Sequence, residues 1–170
     1  MKTTMRFFQA GIVGIALGCA HISYAADAPR PDDSFALKGV EVGKVAFDIT
    51  PGDAKKLALF LKVIAQTHAD LLRQNVKPDM VLVFHGAAVQ LITSEYPADL
   101  ALDDEDARKE IASILADLHH KGVRIEACSI ATELFKVNTQ ALLPGIVLVG
   151  NTFVSQIGYQ AKGYAIIPVN

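Results

Sequence analysis

Five short apolar runs alternate with segments of helical period, and this alternation limits the fold more than any other feature of the chain. The runs are KVAFDI (44–49), MVLVFHG (80–86), VRIEA (123–127), GIVLVG (145–150) and YAIIPV (164–169). They lack the polar alternation of a strand with one wet face, so they predict strands covered on both faces. Between the first two runs, Leu57, Phe60, Leu61, Ile64, Leu71 and Leu72 recur at helical spacing over 54–75. Ahead of them Thr50 predicts a cap, Pro51 suits the first helical position, and Asp53 stands three residues after Thr50 as in a capping box. VKPD (76–79) ends that helix. A second long helix is predicted within 103–122, with acidic residues in its first turn, HHK in its last and Gly122 as its stop. Shorter helical segments are expected at 87–93, 128–137 and 151–163, the last capped by Asn151 or Thr152. Strands alternating with helices predict an α/β domain: three α/β/α layers around a five-stranded, mainly parallel sheet.

The beginning of the chain reads differently. MKTTMR carries Lys2 and Arg6, an apolar stretch follows, and SYA (23–25) places small residues where a signal peptidase reads. This predicts a signal peptide over 1–25 and a periplasmic or secreted protein. A retained membrane anchor would need ~20 apolar residues, and Gln9 and His21 shorten the run. ALGC (16–19) offers a minor alternative, lipoprotein anchoring at Cys19. Residues 26–43, opening with ADAPRPDD, predict a flexible leader, with FALKGVEVG as a short edge element. The domain proper is expected over 44–170. Cleavage after Ala25 removes two of the sixteen basic residues and leaves fourteen against eighteen acidic ones. That balance offers no electrostatic footprint for nucleic acid, and no membrane association is expected once the signal is gone.

Cleavage would also remove Cys19 and leave Cys128 without an intramolecular partner in an oxidising compartment. Such a cysteine is buried, paired between chains, or a working thiol. Its position narrows the choice. Parallel strands end on one edge of their sheet, and ligands of open α/β sheets bind there. The residues at these ends are Asp48 and Thr50, His85 and Gly86, Cys128 and Ser129, and Gly150 and Asn151. His85 and Cys128 end consecutive strands, which often lie side by side. Cys128 would also open a helix, where free N–H groups favour a thiolate. The predicted catalytic pair is therefore Cys128 and His85, with Gly86, Ser129, Asn151 and Thr50 lining the pocket. The competing reading is that Cys128 packs as a small apolar residue.

Other residues point away from chemistry. His68 falls on the apolar stripe of the first long helix. His119 and His120 are adjacent on a helix and face different sides. His85 and Cys128 lack third and fourth partners for a metal, and DDED lacks the glycine and ligand spacing of a calcium loop. With no Gly-rich phosphate loop and no CxxC pair, no cofactor is expected.

Four segments, in order and over about 125 residues, carry a family resemblance: VFHGAAV (83–89), GVRIEACSIA (122–131), LLPGIVLV (142–149) and QAKGYAIIP (160–168). Through them the chain resembles the DsrE/DsrF-like family of small sulfur-relay proteins, in its exported single-domain branch. The resemblance implies a three-layer domain with a five-stranded sheet and assembly into homotrimers or homohexamers. It implies that a cysteine at the Cys128 position carries sulfur as a persulfide and passes it to a partner protein, as a sulfur carrier or sulfurtransferase. His85 matches the histidine of the family's HG motif. Ser129 stands where many members have glycine. The alternative function is a non-catalytic oligomeric module that binds a small ligand or partner and in which Cys128 is structural.

Overall fold

A computed structural model describes residues 30–96 and 104–170. The expected signal peptide, its cleavage site, Cys19, the first residues of the leader and most of the loop before the second long helix lie outside the described residues. From Asp32 onward the chain forms one unit. Its elements are β1 (Val42–Ile49), α1 (Ala54–Arg73), β2 (Lys77–Phe84), a 3₁₀ segment (Gly86–Leu91), α2 (Glu105–His120), β3 (Arg124–Cys128), α3 (Ser129–Leu134), a 3₁₀ turn (Thr139–Ala141), β4 (Ile146–Val149), α4 (Thr152–Ala161) and β5 (Ala165–Val169). All five expected strands and all the expected helical segments are present. Strand order is β4-β3-β2-β1-β5, and every pairing is parallel.

The boundaries differ from the sequence reading where side chains compete for backbone groups. β1 begins at Val42, inside the segment read as leader, because Val42 and Gly43 pair with Lys77 and Pro78 of β2. Residues 34–39 form turns and not an edge strand, and Asp33 and Gln74 exchange two hydrogen bonds at the end of α1 (2.6 and 3.1 Å). The cap of α1 is Asp53, whose carboxylate accepts from Lys56 N–H at 2.7 Å. Thr50 is not the cap; its hydroxyl is turned to the carbonyl of Val169 and the side chain of Asn170. Asp53→Ala is therefore expected to cost about 1 kcal/mol, read as a lower urea midpoint, whereas Thr50→Ala should leave the helix cap intact.

The two sheet faces are covered unequally. On one face Val45, Phe47 and Ile49 of β1, Met80, Leu82 and Phe84 of β2, and Ile125 and Ala127 of β3 pack under α1, α2 and α3. The other face has a small cluster, Ala46, Val81 and Val83, packed against Tyr159 of α4, Tyr164 and Ile166. The chain order explains this difference. From β1 to β4 each step moves one strand in the same direction, so right-handed crossovers put their helices on one face. The step from β4 to β5 returns to the far edge of the sheet, and the same handedness puts α4 on the opposite face.

Candidate functional site

The reversal of direction after β4 determines where a crevice opens. α3 leaves the end of β3 toward the first face, and α4 leaves the end of the neighbouring β4 toward the second. Between two such exits the carboxyl edge of a parallel sheet is uncovered, the usual ligand position in open α/β folds. Here it is a cleft of about 270 Å³, lined by His85, Gly86, Cys128, Asn151, Thr152 and an apolar wall drawn from α3, Phe135 and Phe153. A larger, shallower hollow of about 550 Å³ lies along the flank of α4, with Ser155, Tyr159 and Lys162 among its lining residues. It holds no nucleophilic thiol, so the smaller cleft is the candidate site.

Cys128 ends β3, pairs with Val149 of β4, and is at once the cap residue of α3. It is 5% exposed. Burial raises its thiol, but the nearby Thr152 hydroxyl, then the backbone N–H groups of Thr152, Ala131 and Ile130, outweigh burial and leave the pKa below the ordinary cysteine value. These donors come from the first turns of two different helices, whose N–H groups have no partner within their own helix. Thr152 Oγ1 is itself buried, the residue being 1% exposed, and has no other partner in good hydrogen-bond geometry. Its contact with the sulfur falls short of that geometry too, so its weight there rests on proximity. Asn151 caps α4 through its side chain, which accepts from Phe153 N–H at 2.9 Å, and so sets the direction in which Thr152 points.

His85 lines the same cleft but is not joined to Cys128 by a hydrogen bond. Its Nε2 lies 2.6 Å from Asp48 Oδ1, and the same oxygen accepts from Gln156 Nε2 at 2.5 Å. With a carboxylate as partner, Nε2 carries the hydrogen. The ring of Phe153 meets His85 edge-on at 5.5 Å. His85 is thus held from β1 and α4, and the groups that lower the Cys128 thiol against burial are Thr152 and the N–H groups, not the imidazole.

Of the six residues read from the sequence, the fold brings Cys128, His85, Gly86 and Asn151 to one cleft. Gly86 turns there at φ +56°, a conformation that favours glycine. Ser129 and Thr50 are not among the lining residues; Ser129 starts α3 with its carbonyl accepting from Thr132, and Thr50 faces the end of β5. Sequence reasoning missed Thr152 as a partner of the sulfur and missed the Asp48–His85–Gln156 cluster. Asp48 was visible as a strand-end residue, but its link to α4 depends on which face that helix covers.

Two residues before Cys128, Glu126 is buried and accepts from Tyr159 Oη at 2.6 Å and Arg124 Nε at 2.5 Å. Burial raises its carboxyl, and these two bonds, helped by the nearby Ser155 hydroxyl outside good bonding geometry, bring it below the usual glutamate value. The bond ties α4 to β3 directly behind the cysteine.

Thr152→Val would keep the shape of the cleft and delete one donor to the sulfur. The pH midpoint of Cys128 alkylation is expected to move upward and the rate at neutral pH to fall a few-fold, less than the ~1.5–3 kcal/mol of a well-formed hydrogen bond to a charged group because the contact falls short of that geometry. An unchanged profile would assign the depressed thiol to backbone groups alone.

The comparisons with known proteins agree with this architecture. Among solved structures, a protein of unknown function, MTH1491 from Methanobacterium thermoautotrophicum, matches 74% of this chain and 98% of its own, at 21% identity and a TM-score of 0.59. The YchN protein of E. coli matches 75% of this chain and 99% of its own, at 15% identity and a TM-score of 0.51. At these identities the likeness is one of fold. No curated protein matches the chain. The model of the DsrE/DsrF-like family matches residues 44–169, the whole sheet beyond the first two residues of β1 with every helix on it, and the chain belongs to that family.

Proposed function

We propose that this protein is an exported sulfur handler that carries sulfane sulfur as a persulfide on Cys128. The observation that supports this most strongly is the setting of the thiol: Cys128 lines a cleft at the carboxyl edge where α3 and α4 start, and the groups of those helix starts draw its pKa down. A thiolate is the attacking form. Its Sγ bonds to the sulfane sulfur of a donor, the donor's S–S bond breaks, and the donor leaves as a thiolate with the electron pair. The same hydrogen-bond donors then offset charge on the persulfide. Family membership supports the sulfur-relay reading, and the basic, apolar and small-residue order of 1–25 supports export to the periplasm.

Incubation with polysulfide, followed by intact-mass analysis, is expected to add one sulfur to Cys128. A mass unchanged by the donor, together with a thiol inert to alkylation in the folded protein, would sink the proposal.

Self-association is proposed with it. Val154 and Ile157 of α4 are largely exposed, and Val147 and Leu148 of the edge strand β4 are partly so. Apolar surface of this kind marks interaction sites, and a homotrimer or homohexamer would cover it; sedimentation velocity decides. The partner that gives or takes sulfur would approach the same cleft.

One observation favours the alternative of a binding module with a structural cysteine, namely the 5% exposure of Cys128. That reading requires Cys128→Ala to retain every activity of the protein.

A further inference from the structure

We infer that the cleft selects a hydropersulfide on a small hydrocarbon carrier, R–S–S–H with apolar R, over sulfur oxyanions and over hydrophilic carriers. The inference rests on the sulfur-carrying reading of Cys128 and concerns what brings the sulfur.

Several polar atoms of the cleft already have partners. The Thr152 hydroxyl and the N–H groups of Thr152, Ala131 and Ile130 lie near the Cys128 sulfur and draw its pKa down against burial. Asn151 Oδ1 holds the Phe153 N–H, and His85 Nε2 holds Asp48. The remaining wall is hydrocarbon: Ile130, Ala131, Leu134, Phe135 and Phe153. None of the lining residues is lysine or arginine, and the carboxylate bonded to His85 adds a charge of the wrong sign for an anion. A sulfur oxyanion such as thiosulfate would surrender its hydration without a cation to replace it, which is costly in a confined apolar space. A charged tripeptide carrier meets the same wall. An aryl or alkyl group gains by leaving water there, and the volume of about 270 Å³ suits one small ring, since an apolar cavity of about 150 Å³ already accepts benzene.

The transfer balances without an added oxidant. Cys128–S⁻ attacks the outer sulfur of R–S–S–H, forming Cys128–S–S–H. The S–S bond of the donor breaks, and R–S⁻ leaves with the electron pair, to be protonated by solvent. The carrier is reduced to a thiol and Cys128 is oxidised to the persulfide.

The test uses the full protein and three donors: benzyl hydropersulfide, glutathione hydropersulfide and thiosulfate. Single-turnover gain of one sulfur on Cys128 is followed by intact mass. Each rate is divided by the rate of the same donor with a free cysteine derivative, which removes intrinsic reactivity. The benzyl donor is expected to exceed the glutathione donor by roughly tenfold, the effect of moving about two CH₂ equivalents out of water, with no loading from thiosulfate. Leu134→Lys, at a side chain 73% exposed on the rim, places a cation there. It should bring the benzyl-to-glutathione ratio to within about threefold of one. Equal normalised rates in the unaltered protein, loading by thiosulfate, or a ratio unmoved in a folded Leu134→Lys variant would each overturn the selectivity and leave the persulfide reading standing. Failure of all three donors would overturn both. The ratio in the unaltered protein decides alone if the variant does not fold.

Discussion

Cys128→Ala is expected to abolish sulfur loading completely while leaving the fold within about 1 kcal/mol of the parent. The sulfur atom is the bonding atom of the proposed persulfide, so no residual route remains through another thiol among the described residues. The structural cost is small because the site already tolerates a small side chain against Ala131 and the start of α4. Cys128→Ser separates chemistry from packing more strictly. Its hydroxyl would meet the same donors from Thr152 and the two helix starts, yet it is too weakly acidic to attack sulfane sulfur at neutral pH. Intact-mass analysis after polysulfide treatment, beside urea unfolding of all three proteins, checks both halves. Loading at full rate in either variant would place the chemistry elsewhere.

Phe84→Ala is expected to destabilise the domain by about 3–5 kcal/mol. Phe84 is fully buried at the end of β2, level with Ile49 of β1 and Ala127 of β3 in the sheet register. Truncation would leave a cavity beneath the strand ends that carry the site, and a closely packed sheet flanked by α1 and α2 has little room to collapse into it. Domains of this kind have only ~5–15 kcal/mol in all, so the variant should unfold at a much lower urea concentration. The residue also immediately precedes His85, whose N–H is bound to the carbonyl of Ile49 at 3.1 Å. Loss of the ring should therefore loosen the cleft as well, seen as faster hydrogen exchange at His85 and Gly86. A cost below about 1 kcal/mol would contradict the packing account.

Much of this organisation was legible in the residues. Apolar runs without polar alternation announced strands buried on both faces, and the helix between the first two showed its stripe through Leu57, Leu61 and Ile64, all of which are buried. Cys128 and His85 could be placed together because consecutive strands tend to be neighbours, and β2 and β3 are. Thr50 and Asp53 were less legible. Either could cap α1, and the choice went to Asp53 because the arrival of β5 beside β1 gave the Thr50 hydroxyl other partners in Val169 and Asn170. Those partners lie more than a hundred residues away in the chain.

The same limit separates the cysteine from its surroundings. That Cys128 ends a strand and opens a helix follows from periodicity between near neighbours, and the sequence by itself determined that much, along with the α/β class and the helix boundaries to within a few residues. The approach of Thr152 to Cys128, the link from His85 through Asp48 to Gln156 and the position of the cleft were decided only by tertiary structure. They follow from strand order: β5 joins the far edge, so α4 must cross the opposite face, and the starts of α3 and α4 diverge around the sulfur. Strand order reflects the burial of whole sheet faces and the handedness of crossovers, and no local window of residues contains it.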